Sequence, residues 1–135
     1  MGTRCLLYII YKQRTVCLYN RYDSYPSYLG VMIIEWLQQV IQERGLSWIC
    51  ERFMEMKLIE EEDWKGEEVL LDIGLEKIFD SGYFIISPNS WVQYEYTINL
   101  ENETIYMLGE SSEEFWSFNN LDKLLKIWRF NPLVF

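Results

Sequence analysis

Trp91–Leu108 reads WVQYEYTINLENETIYML. Val92, Tyr94, Tyr96 and Ile98 fall on one side of an extended chain, and Gln93, Glu95, Thr97 and Asn99 fall on the other. Strict alternation of apolar and polar residues marks a half-buried strand. Glu101-Asn102-Glu103 turns the chain, and Thr104–Leu108 returns as a second strand. One antiparallel hairpin with a single buried face is therefore the firmest local feature, and the rest of the chain must supply the layer that covers it.

A second hairpin is expected at the start of the chain. Arg4–Tyr11 and Thr15–Tyr22 are rich in branched and aromatic residues, and Lys12-Gln13-Arg14 separates them. The turn should centre near Gln13-Arg14, which would set Cys17 opposite Ile10. Leu6, Leu7, Tyr8, Ile9 and Ile10 make the first strand apolar on both faces, as in a strand covered on both sides of a sandwich. Pro26 ends the hairpin and holds Tyr25 extended, and Ser27 offers an N-cap.

Helical spacing then runs from Tyr28 to Arg44, stopped by Gly45. Leu46–Ile59 reads as a second helix and Glu68–Phe79 as a third, after a loop carrying Trp64. Tyr83–Ile86 is a short strand before the turn Ser87-Pro88-Asn89-Ser90, which Trp91 follows. Ser111 with Glu114 has the spacing of a capping box, opening a last helix to about Arg129 with Phe118, Leu121, Leu124, Leu125 and Trp128 on its apolar face. The order β-β-α-α-α-β-β-β-α predicts an α+β domain, an antiparallel sheet of two hairpins covered by helices. At 135 residues the chain, 1–135, is expected to be a single domain.

Half of the residues are apolar and 17% are aromatic, ample for a packed core. The longest apolar runs, such as Cys5–Ile10, are far short of the ~20 residues of a membrane-spanning helix, and no signal peptide is visible. A net charge of −9 repels phosphate backbones, so nucleic acid is not an expected partner. Carboxylates gather in Glu51–Glu68 and Glu110–Glu114. They are read as solvated loops or helix ends, with a basic partner surface as the functional alternative.

There is no histidine, which removes Ser-His-Asp and Cys-His chemistry and most zinc sites. No DxDxDG-like calcium loop is present, so neither a metal nor a cofactor is expected. Three cysteines without CxxC spacing point to reduced thiols in a cytosolic compartment, and Cys5 is too far along the ribbon to bond Cys17.

The candidate site is the corner after the first hairpin. Asp23 follows a strand and sits between Tyr22 and Tyr25, whose hydroxyls could hold it or a ligand. Arg4 and Arg21 should lie close by, so that an Arg4–Asp23 pair is either a structural lock or the anion-binding half of a site. The bland alternative for Asp23 is an Asx-type turn before Pro26. Trp64 and Trp91, beside loops, are the tryptophans that would mark a partner surface.

Met1-Gly2-Thr3-Arg4 together with Tyr19-Asn20-Arg21-Tyr22-Asp23-Ser24-Tyr25-Pro26 resembles a scattered set of uncharacterised proteins of viruses, phages and fungi. Those proteins begin M-G-T-R and carry an aromatic-D-[GS]-Y-P segment about twenty residues on, followed by a glycine and a helix. The resemblance covers roughly the first third of the chain and implies a family, not a reaction. A weaker, architectural similarity is to the N-terminal-nucleophile (Ntn) hydrolases, which also open with a strand, a hairpin and a helix. In that family an exposed N-terminal Cys, Ser or Thr is the nucleophile. Here removal of Met1 would expose Gly2, so the similarity implies an Ntn-like sandwich without its chemistry.

The sequence thus favours a small, acidic viral- or phage-type interaction protein, cytoplasmic and without catalytic activity, that binds another protein and could self-associate. The alternative is an Ntn-hydrolase-like or amidotransferase-like protein with a small-molecule pocket around Arg4, Asp23 and Tyr25.

Overall fold

The computed structural model describes residues 3–20, 23–59, 75, 76, 79, 83–85 and 92–130. The class is α+β: among the described residues a five-stranded mixed sheet that does not close into a barrel is accompanied by three α-helices of eight or more residues. The strands are β1 (Cys5–Tyr11), β2 (Arg14–Asn20), β3 (Lys57–Ile59), β4 (Tyr83–Ile85), β5 (Tyr94–Asn99), β6 (Thr104–Leu108) and β7 (Glu113–Ser117). The helices are α1 (Val31–Arg44), α2 (Leu46–Glu55) and α3 (Leu121–Phe130). The main sheet has the order β2-β1-β5-β6-β7, while β3 and β4 pair in parallel beside it.

Both expected hairpins form, but the sheet is not purely antiparallel. β1 and β5 run parallel, with Cys5 beside Tyr94 and Ile9 beside Ile98. The reason is topological. β1 already has its hairpin mate on one side, and the chain comes back through the helices to lay β5 on the other side in the same direction. The first hairpin turns at Lys12-Gln13 rather than Gln13-Arg14, so Tyr11 faces Arg14 and Cys17 faces Tyr8 rather than Ile10. All three cysteines are thiols without a disulfide.

Leu7, Ile9, Val16, Leu18, Tyr96, Ile98, Ile105 and Met107 lie on one face of the sheet and are buried. Ile33, Ile34 and Leu37 of α1, Ile49 and Phe53 of α2, and Leu124 and Trp128 of α3 pack into the same core. Leu75 and Phe79 join it, with the Phe79 ring 5.0 Å from that of Trp36. On the other face Leu6, Tyr8 and Ile10 remain half-buried. Gly30, just before α1, comes so close to α3 that a Cβ on it would sit 2.7 Å from the Trp128 ring, so a larger residue there would force the packing to shift.

Three boundaries differ from expectation. Ser27 does not cap a helix; Pro26–Gly30 forms a π-helical turn in which the Tyr25 carbonyl accepts from both Tyr28 and Gly30 N–H. α2 stops at Glu55 because Arg14 donates to the carbonyls of Phe53, Met54 and Met56, taking up the groups a further turn would use. The Ser111/Glu114 spacing does not open a helix. Glu110 and Ser111 make a hairpin turn instead, and Glu113–Ser117 adds β7 to the sheet before α3 begins at Leu121. On the inward face of β7 the Glu114 carboxylate accepts from the indole N–H groups of Trp116 and Trp128, a tertiary use that outweighs capping. The helix expected over Glu68–Phe79 lies largely outside the described residues.

Candidate functional site

The two ends of β1 offer the two candidates. At the Cys5 end lies the corner singled out by the sequence. Its buried residues are Thr3, Cys5, Asn20, Ser24 and Tyr96. Asn20 is opposite Cys5 in the hairpin. Its Nδ2 donates to Ser24 Oγ at 2.8 Å, and the Tyr96 hydroxyl donates to the Ser24 carbonyl at 2.6 Å. Burial pushes the Cys5 thiol up to about 12, against a smaller opposing effect of its hydrogen bond with Ser24. A thiol so disfavoured as thiolate is no nucleophile. Burial also holds the Tyr96 hydroxyl well above its ordinary value, with Cys5 beside it acting in the same direction. These polar groups satisfy one another.

Of the residues chosen from sequence, Arg4, Asp23 and Tyr25 lie beside this cluster without forming it. Asp23 is exposed and takes the left-handed conformation, φ 57°. Arg4 is exposed too, and its backbone N–H donates to Gln93 Oε1 at 2.8 Å while its carbonyl accepts from Gln93 and Tyr94. Among the described residues neither the Arg4 guanidinium nor the Asp23 carboxylate has an ion-pair partner, so the Arg4–Asp23 lock is not made. Tyr25 is half-buried, edge-on to Tyr94 with ring centroids 6.4 Å apart, the outermost member of an aromatic run through Tyr94 and Tyr96 to Trp128. Arg21, Tyr22, Trp64 and Trp91 lie outside the described residues. The buried partner at the corner is Ser24, next to the Asp23 that the sequence emphasised.

At the Tyr11 end the surface opens into a groove of about 800 Å³. One wall is the face of α2 bearing Leu46, Ser47, Cys50, Glu51, Met54 and Glu55; the other is made of Tyr11 and Lys12 from the first hairpin and Leu100 and Glu101 from the second. Leu100 N–H donates to the Ile10 carbonyl at 2.8 Å, tying the two turns together. Asn99 Oδ1 accepts from the N–H groups of Glu101 and Asn102 and fixes the second turn. Arg14 clamps α2 to the first hairpin through its carbonyl bonds, with its guanidinium carbon 5.5 Å from the Phe53 ring centroid. The groove is therefore a rigid junction of three elements.

Its chemistry is that of a cation acceptor with an apolar floor. Glu51, Glu55 and Glu101 face a single ammonium, Lys12, whose Nζ lies 5.3 Å from the Tyr11 ring centroid. Arg52 pairs with Glu55 at 3.2 Å on the helix surface. Leu46, Cys50, Met54 and Leu100 form the apolar part. Burial raises the Cys50 thiol, partly offset by its hydrogen bond with Tyr11, so this cysteine is a packing residue as well. Lys12 holds φ 54°, a conformation that favours glycine, in a two-residue turn. Among the described residues no group of His, Cys, Asp and Glu side chains is arranged to hold a metal ion.

Sequence reasoning placed any pocket at the corner and missed this groove. The available signal was the paired stripe Leu46/Cys50/Met54 and Ser47/Glu51/Glu55, apolar and polar residues recurring every four positions along one helix face. Comparison of the chain with family models, curated proteins and solved structures finds no match.

Proposed function

We propose that this chain is an interaction protein that acts by holding a basic segment of another protein in the groove between α2 and the two hairpin turns. The observation that carries this reading is the composition of the groove: carboxylates of Glu51, Glu55 and Glu101 around an apolar floor of Leu46, Met54 and Leu100. Such a surface suits a segment that alternates arginine or lysine with leucine-like residues, the apolar side chains supplying affinity and the charges orientation and on-rate. A net charge of −9 steers basic partners towards the molecule at long range. Among the described residues no helix is long and apolar enough to cross a membrane. The resemblance to viral and phage proteins would put the partner in a host cytoplasm.

The test is calorimetric titration of an amphipathic peptide that alternates arginine and leucine into the full chain. Binding is expected to weaken as salt rises from 50 to 500 mM, because exposed charges are then screened within ~4 Å. Glu51→Lys with Glu55→Lys should weaken binding by tenfold or more. Asp23→Lys with Glu110→Lys changes the net charge equally at the opposite end and should leave most of it. Equal losses in the two double variants, or no binding by the parent chain, would overturn the reading.

A further inference from the structure

The two edges of the main sheet differ. Among the described residues β2 has β4 beside it, whereas no strand lies beyond β7 on the other side. Gly109 N–H donates to the Ser112 carbonyl and Phe118 N–H to the Glu103 carbonyl, each at 2.8 Å. These bracket the β6–β7 ladder, whose register sets Thr104 opposite Ser117 and Leu108 opposite Glu113. In an antiparallel pair hydrogen-bonded and non-hydrogen-bonded positions alternate. Glu114 and Trp116 therefore bond to β6, and Glu113, Phe115 and Ser117 turn their N–H and C=O groups away from it, towards the free edge. Phe115, in the middle, is 69% exposed.

We infer that β7 pairs with β7 of a second copy of this chain, antiparallel and about a two-fold axis at Phe115. In that register Glu113 faces the mate's Ser117, Glu114 faces Trp116 and Phe115 faces Phe115. Every outward N–H and C=O of the three residues then finds a partner. No carboxylate lies directly opposite another, although two of the strand's five residues are glutamates. Sliding the register by two residues in one direction would bring glutamate opposite glutamate, which is destabilising in a sheet. The central register also stacks the two exposed Phe115 rings, beside the Tyr106 rings across the β6–β7 ladder. An exposed edge with a large apolar residue at its centre is what natural sheets otherwise blunt with charge, proline or a covering element.

The contact is small, so the dimer should be weak and form with concentration. Because each chain carries −9, self-association should tighten as salt rises, opposite to the salt dependence of the groove. The two sites can therefore fail separately.

Sedimentation equilibrium of the full chain from micromolar to millimolar protein should show a monomer–dimer equilibrium whose Kd falls as salt is raised. Phe115→Lys should remain monomeric throughout while keeping its circular dichroism. In a Cys17→Ser background, Phe115→Cys should cross-link to itself on mild oxidation, since a hydrogen-bonded antiparallel pair sets the two Cα atoms ~5.5 Å apart, within disulfide range. Glu113→Cys should not, because its own copy lies about four residues, ~14 Å, away along the ladder. A chain that stays monomeric at millimolar concentration, or Glu113→Cys that cross-links as fast as Phe115→Cys, would overturn the inference. That result would leave the edge to another protein's strand or to none.

Discussion

The two ends of β1 are built from the same kinds of residue and do opposite things. At the Cys5 end a thiol, an amide, a hydroxyl and a phenol are buried together and spend their hydrogen-bonding capacity on one another. At the Tyr11 end a phenol, an ammonium, a thiol and three carboxylates line open space. The difference is where the helices lie. α1 and α3 seal the Cys5 end, with Trp128 against Gly30 and Tyr96. α2 packs Ile49 and Phe53 into the core, but its neighbouring face stands off from the two turns at the other end, where Arg14 ties its last carbonyls to the first hairpin. Polar residues near a strand end thus become a lock or a site according to whether a helix closes over them.

The largest effect should come from alkaline pH acting on the sealed end. Burial raises Cys5 to about 12 and moves Tyr96 in the same direction. Below the unfolded thiol's value, 9.0, both folded and unfolded chains keep their protons and stability is complete. As pH rises from there to about 12 the unfolded chain loses protons that the folded chain keeps, and stability falls. Cys5 alone should cost about 4 kcal/mol across that window, measured as the urea midpoint against pH. Cys5→Ala should flatten the profile; an unchanged profile would mean that the Cys5 end is open to solvent.

Packing at the same end comes next. Gly30→Ala puts a methyl against Trp128, which is itself fully buried, and should cost ~1–3 kcal/mol by chemical denaturation. Tyr96→Phe strips the donor from the Ser24 carbonyl and should cost ~1–2 kcal/mol. If either variant melted like the parent, the contrast between the two ends would vanish.

Asp23 lies at the margin of the sealed end and should matter least. Its carboxylate is exposed and its backbone is left-handed, so Asp23→Gly should be neutral or stabilising by up to ~1 kcal/mol. Asp23→Ala should be mildly destabilising through the backbone alone. A large loss in Asp23→Gly would restore the carboxylate as a lock.

What the sequence made legible follows from range. The β5–β6 hairpin and α1 were readable because their signals are local: alternation around Glu101-Asn102-Glu103, and dense helical spacing closed by Gly45. β7 was misread because Ser111 and Glu114 satisfy a local capping rule, while the competing claim on Glu114 comes from Trp128, fourteen residues on. The parallel contact of β1 with β5 joins residues about ninety positions apart and has no local signature. The candidate site failed for the same reason. Asp23 stood out in its own segment, yet the groove draws Lys12, Glu51 and Glu101 from three separate elements, each of them an ordinary surface residue where it stands.

The most direct measurement is an amide-resolved NMR titration of the full chain with the arginine–leucine peptide. Shifts are expected to be confined to Tyr11, Lys12, Ser47, Cys50, Glu51, Met54 and Glu101, with Asn20, Ser24 and Tyr96 unmoved. Shifts centred on Arg4, Asp23 and Tyr25, or none at any residue, would contradict binding in the groove.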